Sequence, residues 1–191
     1  IPQMFLEPRS CVVDAERDGR IQVWSSHKIP HGLKAGISHA IGVEPERVLI
    51  NPTYVGGDFG GKSSPWDEPL CYFLSVKTGR PVKMVMPRSE VLRATGPTAS
   101  SSVDIRIGMT KDGRITAGQA VLRYQGGAYP NGTVEFGAQA AFAAYDLDAV
   151  QTQGWSVLTN RPMEIPYRAP GAPTAIYAVE SVVDELCQDL G

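Results

Sequence analysis

A segment with four glycines around one phenylalanine is the feature that most restricts how this chain can fold. Gly56 to Ser63 reads GGDFGGKS, and residues without a Cβ let backbone amides come close to a ligand. The spacing also matches the phosphate-binding pattern G-x-x-x-x-G-K-S. The segment therefore predicts a binding loop, for nucleotide phosphates or for another large anionic cofactor, with a tight turn that binds nothing as the structural alternative.

The residues after the glycines do not suit a nucleotide-binding loop. Such a loop opens directly into a helix whose first amides hold the phosphates, but Pro69 would remove a backbone donor from the second turn of that helix. The apolar strand expected at residues 82–86 ends in Pro87 and Arg88, not in a magnesium-binding acid. Nucleotide binding, or a non-catalytic domain that shares only the glycine spacing, is the alternative hypothesis.

Composition argues against several classes of protein. The 18 basic and 20 acidic residues are interspersed and give a net charge of −2, so we expect no nucleic-acid partner. The three cysteines Cys11, Cys71 and Cys187 form no C-x-x-C pair, which is typical of reduced thiols and predicts a cytoplasmic protein without a metal site. The longest low-charge stretch, residues 136–145, is too short to span a membrane.

The hydrophobic period changes often, which predicts an α+β fold: mixed twisted sheets with antiparallel hairpins, packed by three or four helices. We expect two sub-lobes, 1–95 and 96–191. Asp18-Gly19 between two apolar runs indicates a hairpin, and a break in alternation indicates a bulge near Gly118. Helices are predicted at 31–41, 70–76, 88–93 and 172–190, strands at 47–50, 81–86, 103–109, 115–124 and 154–158, and a loop at 126–132.

Separated motifs along nearly the whole chain, in the same order, resemble the large subunit of the xanthine dehydrogenase and aldehyde oxidase family. Several motifs in order are far more specific than one glycine loop. They are Phe5–Pro8, Trp24–His27, Pro30–His31, Gly56–Lys62, Gly79–Lys83 and Tyr167–Gly171.

The resemblance implies a molybdenum hydroxylase, whose molybdopterin cofactor, expected in its cytosine dinucleotide form, oxidises a carbon centre with water as the oxygen source. Its partners would be an iron–sulfur unit and a flavin unit, which carry electrons away. By the same resemblance, Phe59 and Gly60 lie beside the ligands of the metal, Gly57 and Gly61 allow close approach of the cofactor, and Arg168–Ala169 form a second cofactor-binding loop.

Departures from the family pattern concern the substrate. Relatives that oxidise purines carry a glutamate and an aromatic residue where this chain has Ser63 and Pro170, so we expect these two residues in a pocket for an aldehyde or another N-heterocycle. Ala169 stands where carbon monoxide-oxidising relatives have cysteine. In the region where a glutamine usually lies near the metal, this chain has His27 and Lys28.

The general base of the family is a glutamate in a glycine-rich segment far toward the C-terminus, and no such segment follows Leu190. A base must reach the proton that it removes. We therefore expect no catalytic residue in this chain, which would be an inactive fragment of a longer subunit that folds without retaining the cofactor tightly.

For single charged residues, a structural role is an alternative to a role in the binding site. Glu7, beside a proline, is expected to fix the chain rather than to join the site. For Lys62, a solvated surface role and a role in screening a cofactor phosphate are equally open. His27 is expected to be solvated or to cap a helix rather than to bind a metal.

Overall fold

The computed structural model describes residues 3–129 and 132–191. They form two mixed sheets packed by five α-helices, which confirms the α+β prediction. The chain divides into two compact units, residues 3–95 and 96–191. That these units are the sub-lobes of one cofactor-binding domain stays a prediction.

The first unit contains a four-stranded sheet of order β3-β2-β1-β4. Strands β2 and β3 are parallel, and the other neighbours are antiparallel. The strands are β1 (Ser10–Ala15), β2 (Ile21–Ser25), β3 (Val48–Pro52) and β4 (Val82–Val85). The helices are α1 (Pro30–Ile41), α2 (Glu68–Thr78) and α3 (Arg88–Ala94), with a 3-10 turn at Pro45–Arg47.

Alternating apolar residues in the hairpin of β1 and β2 form the core of this unit together with apolar residues at helical spacing in α1. Val13 and Val23 pair across β1 and β2 and are buried against Leu33 and Ile37 of α1. The predicted hairpin is thus confirmed, and α1 ends as predicted at Gly42, which adopts the left-handed conformation with φ of 70°.

The second unit contains a three-stranded sheet of order β5-β6-β7, antiparallel between β5 and β6 and parallel between β6 and β7. Apolar residues of β6 pack with α4 and α5, and Tyr124 and Val179 are both fully or almost fully buried. The elements are β5 (Ser101–Met109), β6 (Ile115–Gly127), α4 (Val134–Ala140), β7 (Ala149–Leu158) and α5 (Ala172–Leu190).

The sequence prediction for the second unit is confirmed at the bulge and corrected elsewhere. Gly108 pairs with Ala117 and Met109 with Ile115, which makes Thr116 the extra residue and confirms a bulge near Gly118. The bulge explains the change of phase, because it places Gly118, Ala120 and Leu122 on the same face of β6 as Ile115. Glycine suits this face at position 118, where a Cβ would lie 2.8 Å from the ring of Phe142. Strand β7 starts five positions before the predicted residue 154, helix α4 was not expected, and β6 continues into the predicted loop 126–132, of which Pro130 and Asn131 lie outside the described residues.

Within the described ranges, each helix is too short or too polar to cross a membrane.

Candidate cofactor-binding site

The glycine segment lies between β3 and α2 and consists of turns and bends without a helix of its own. Helix α2 begins only at Glu68, with Pro69 in its first turn, where a missing amide hydrogen is tolerated. A phosphate-binding loop needs a helix N-terminus directly after its lysine. The nucleotide-binding alternative therefore lacks the structural context that it requires.

Asp58 organises the segment from inside. Its Oδ2 accepts a hydrogen bond from the Gly60 amide at 2.6 Å, and its Oδ1 accepts one from the Lys62 amide at 2.5 Å. Nζ of Lys28 lies 2.9 Å from Oδ2. Burial alone would raise the pKa of Asp58, but the hydrogen bonds from Lys28 and the two amides outweigh it and lower the pKa.

Glu7 and Lys62 hold the segment from outside. Oε2 of Glu7 accepts hydrogen bonds from the Gly56 amide at 2.8 Å and from Nζ of the fully buried Lys62 at 2.5 Å. The ammonium also lies 4.9 Å from the ring centroid of Phe5. Burial opposes ionisation of Glu7, yet Lys62 and the Gly56 amide lower its pKa, whereas burial lowers the pKa of Lys62.

These contacts test the structural alternatives for the pair, and a role of Lys62 in screening a cofactor phosphate stays a prediction. Lys62 is not solvated, because its side chain is fully buried and directed at Glu7. Glu7 fixes the chain entry as predicted, since its amide also donates to the Gly56 carbonyl at 3.1 Å.

Arg9 is an anchor that the sequence analysis missed. Its buried guanidinium donates to the Gly61 carbonyl at 2.7 Å and to the Ser64 carbonyl at 3.3 Å, and lies 5.3 Å from the ring centroid of Trp66. Burial lowers the pKa of Arg9, but a guanidinium stays charged in a protein. Only the position of Arg9 just after the first family motif could have suggested its role.

The predicted cofactor residues of the glycine segment have unusual backbone conformations. Gly57, Phe59 and Gly60 have φ values of 97°, 52° and 104°, a region that side-chain-bearing residues seldom adopt. At Gly57 a Cβ would lie 3.2 Å from Cβ of Phe5, and at Gly61 one would meet the ring of Phe5. The absent side chain of Gly61 thus leaves room for Phe5, and its role toward a cofactor stays a prediction.

One stretch of the segment remains free to contact a ligand. Among the residues that the structure describes, the amides of Gly57, Asp58 and Phe59 have no hydrogen-bond acceptor, and the ring of Phe59 is 45% exposed. Adjacent amide donors beside an exposed ring fit a flat cofactor with a polar edge. Ser63, in contrast, uses its hydroxyl within the loop and donates to the Gly60 carbonyl at 3.2 Å.

The second predicted loop belongs to the second unit. Arg168 and Ala169 are exposed, Ala169 is left-handed with φ of 55°, and Pro170 is half-buried. The Gly171 carbonyl, which ends the loop, accepts a hydrogen bond from the Tyr124 hydroxyl at 2.7 Å. The loop is therefore held at its base and open at its tip, and its contact with a cofactor stays a prediction.

His27 is buried, and its Nδ1 accepts a hydrogen bond from the amide of Ile29, the residue that precedes α1, at 3.1 Å. The helix-capping alternative is the one that this contact supports, and burial lowers the pKa of His27. In residues 3–129 and 132–191, no three His, Cys, Asp or Glu side chains group as a metal site would require.

The chain belongs to the molybdopterin cofactor-binding domain family, whose family model matches residues 1–191. It is 31% identical to the xanthine dehydrogenase molybdenum-binding subunit of Escherichia coli O157:H7, over 100% of this chain and 26% of that protein. Its fold is similar to those of aldehyde oxidoreductase from Desulfovibrio gigas, with a TM-score of 0.91 and 28% identity, and from Desulfovibrio desulfuricans, with a TM-score of 0.93 and 26% identity.

Each of these two structures matches 100% of the present chain, which covers 21% of either one. The chain thus spans about a quarter or less of the length of these three relatives. The resemblance predicted from the ordered motifs is confirmed, and the nucleotide-binding alternative is not supported.

Proposed function

We propose that this chain forms one side of the molybdopterin site of a molybdenum hydroxylase. The observation that carries the proposal is the segment Gly57–Phe59, which has three adjacent amides without an acceptor and a half-exposed phenylalanine in a chain of the molybdopterin-binding family. Amides held in place before binding lower the ordering cost of ligand binding. Gly57, Gly60 and Gly61 keep side chains out of the approach, and Arg168 and Ala169 are the proposed cofactor-binding residues of the second unit.

When bound, the cofactor supplies the oxidation of a carbon centre, with water as the source of oxygen. The residues of this chain place and shield it: the amides of 57–59 donate to its polar edge, and the Phe59 ring keeps water from the cofactor. The general base is not among these residues, so the chain alone is inactive. The cytosine dinucleotide form of the cofactor and a cytoplasmic location are part of the proposal.

Ser63 and Pro170 are the proposed substrate-side residues. Neither provides the carboxylate or the aromatic face that would bind a purine, which favours an aldehyde or a non-purine N-heterocycle. The relatives include both a xanthine dehydrogenase subunit and an aldehyde oxidoreductase. Electrons leave through iron–sulfur and flavin partners, as a two-electron oxidation at an enclosed centre requires an electron path.

Metal and pterin analysis of the complete gene product that contains this chain, produced with the molybdenum cofactor maturation machinery, tests the proposal. We expect one molybdenum and one pterin per subunit, reduced several-fold by Phe59→Ala. Phe136→Ala is the matched control, because Phe136 is also a half-exposed phenylalanine, 54% exposed, but lies on α4. A folded wild-type subunit without molybdenum, or one that binds magnesium-ATP stoichiometrically, contradicts the proposal.

A further inference from the structure

The carboxylate of Asp58 lies where an anionic ligand would lie in a glycine-rich anion site. Successive backbone amides that point into one concavity bind phosphate or carboxylate groups. Here the Gly60 and Lys62 amides donate to the two oxygens of Asp58 at 2.6 and 2.5 Å, and hydrogen bonds to an ionised carboxylate are stronger than those between neutral groups. The concavity is thus filled by a side chain of the loop itself.

We propose that Asp58 is the positioning residue of the glycine segment: it acts as a built-in anion that occupies the Gly60 and Lys62 amides and leaves the adjacent amides of residues 57–59 for the cofactor. The identity of the ligand in this inference rests on the proposed function. The hydrogen bonding of Asp58 within the loop does not depend on it. It also explains why a sequence with phosphate-loop spacing does not form a phosphate site.

Two further amides of the segment are also bonded within the protein. The Gly56 amide donates to Glu7, and the Gly61 amide donates to the carbonyl of Asp58 at 2.9 Å. Within the described part of the chain, the amides of the segment without an acceptor are therefore those of Ser63 and of the three adjacent residues Gly57, Asp58 and Phe59. Asp58 places these donors because its two side-chain bonds reach forward across Phe59 and fix the turn on which the ring stands.

The surrounding charges favour an ionised Asp58. Lys28, between β2 and α1, pairs with the carboxylate at 2.9 Å. Arg9 and Lys62 add positive charge nearby, and His27 is the other titratable group coupled to Asp58. Glu7 is directed at Lys62, so it does not compete for the two amides of the loop.

Amide NMR across a pH series tests the state of the loop without any cofactor. In the wild-type chain, the Gly60 and Lys62 amide resonances are expected to follow one acid titration with a midpoint below that of a free aspartate. Lys28→Met should move this midpoint upward. In Asp58→Asn the titration disappears and exchange of both amides quickens about tenfold, because an NH2 donor replaces one of the two acceptor oxygens and opposes the amide bonded there.

Asp104→Asn is the matched control, since Asp104 also pairs with one cation, Arg123 at 2.7 Å, but in the second unit. It should leave the Gly60 and Lys62 amides unchanged. The inference is overturned if these amides show no titration in the wild-type chain, or if inorganic phosphate at millimolar concentration shifts them.

Molybdenum content of the complete subunit tests the link to the cofactor. We expect a several-fold loss in Asp58→Asn and none in Asp104→Asn. Equal content in both variants overturns the positioning role. A wild-type subunit without molybdenum, together with the expected amide titration, instead contradicts the proposed function and leaves the built-in anion in place.

Discussion

Nζ of Lys62 lies 2.5 Å from Oε2 of Glu7, a residue 55 positions earlier in the chain, and the lysine side chain is completely buried. A buried cation is tolerated only when it is paired and hydrogen-bonded. The N-terminal segment therefore does more than precede β1, because it neutralises the lysine at the end of the glycine segment.

Glu7→Gln should lower the free energy of unfolding by about 2 kcal/mol, because it leaves Lys62 buried without its counter-charge. The figure lies below the usual loss for a fully buried pair, since the Glu7 side chain is 33% exposed. Urea unfolding measures it. Asp148→Asn, at the exposed ion pair with Arg114, should cost less than about 1 kcal/mol, and equal losses would show that pairing with Lys62 does not stabilise the fold.

Phe59→Gly should separate stability from cofactor binding. A left-handed phenylalanine carries about 1 kcal/mol of strain that glycine relieves, and this gain offsets the greater flexibility of glycine in the unfolded chain. We expect unfolding free energy within about 1 kcal/mol of the wild type and a several-fold loss of molybdenum from the complete subunit.

Phe5→Ala provides the contrast to that substitution. Phe5 is fully buried, so its truncation should cost about 3–5 kcal/mol. If Phe59→Gly destabilised the chain as strongly as Phe5→Ala, the Phe59 ring would be a structural residue rather than a wall of the cofactor site.

Gly171→Ala should destabilise the second unit by more than about 2 kcal/mol. The substitution adds left-handed strain at φ of 77° and places a Cβ 3.0 Å from the Gly137 amide nitrogen, with the Thr133 carbonyl closer still. Gly113→Ala has nearly the same φ, 85°, but no neighbour within 4 Å, and should cost only about 1 kcal/mol. Thermal unfolding of both variants separates the cost of the left-handed backbone from the cost of the steric clash at Gly171. Equal losses of stability would show that the clash contributes nothing.

Stability should fall at acidic pH partly because of Asp58 and Glu7. The folded state lowers the pKa of both groups from ordinary values of 3.8 and 4.5, so their contribution is complete above those values and is lost as the pH falls through the lower, folded-state values. Unfolding free energies measured from about pH 6 to pH 2 should decline less steeply in Asp58→Asn/Glu7→Gln than in the wild type. Parallel curves would contradict the role of these two groups.

Local signals predicted much of the fold. The hairpin of β1 and β2 has a turn dipeptide between alternating runs, and helices α1 and α5 combine helical spacing with a glycine end or an early proline. In contrast, α4 contains Gly137, whose missing side chain leaves room for the Tyr124 hydroxyl, so its sequence does not resemble a strong helix. Strand β7 is exposed at all ten positions, which removes the alternation on which strand prediction depends.

The site was predictable as a motif but not as a structure. Ordered motifs identified Phe59–Gly60 and Arg168–Ala169 as candidates, whereas the anchors of the glycine segment, Arg9 and Asp58, became visible only from hydrogen bonds. The bonds of Arg9 cross about fifty residues of sequence, a distance at which a pattern of residue types carries no signal.

That same separation determines when the glycine segment can take shape. Its outer anchors lie 49, 52 and 55 residues away along the chain, and closing so long a loop costs entropy before any contact stabilises it. Only the local bonds of Asp58 can form before the chain folds, because they span two and four residues. We expect the outer anchors to form after β1 has paired in the sheet, so the fully anchored segment should be present only when the first unit has folded.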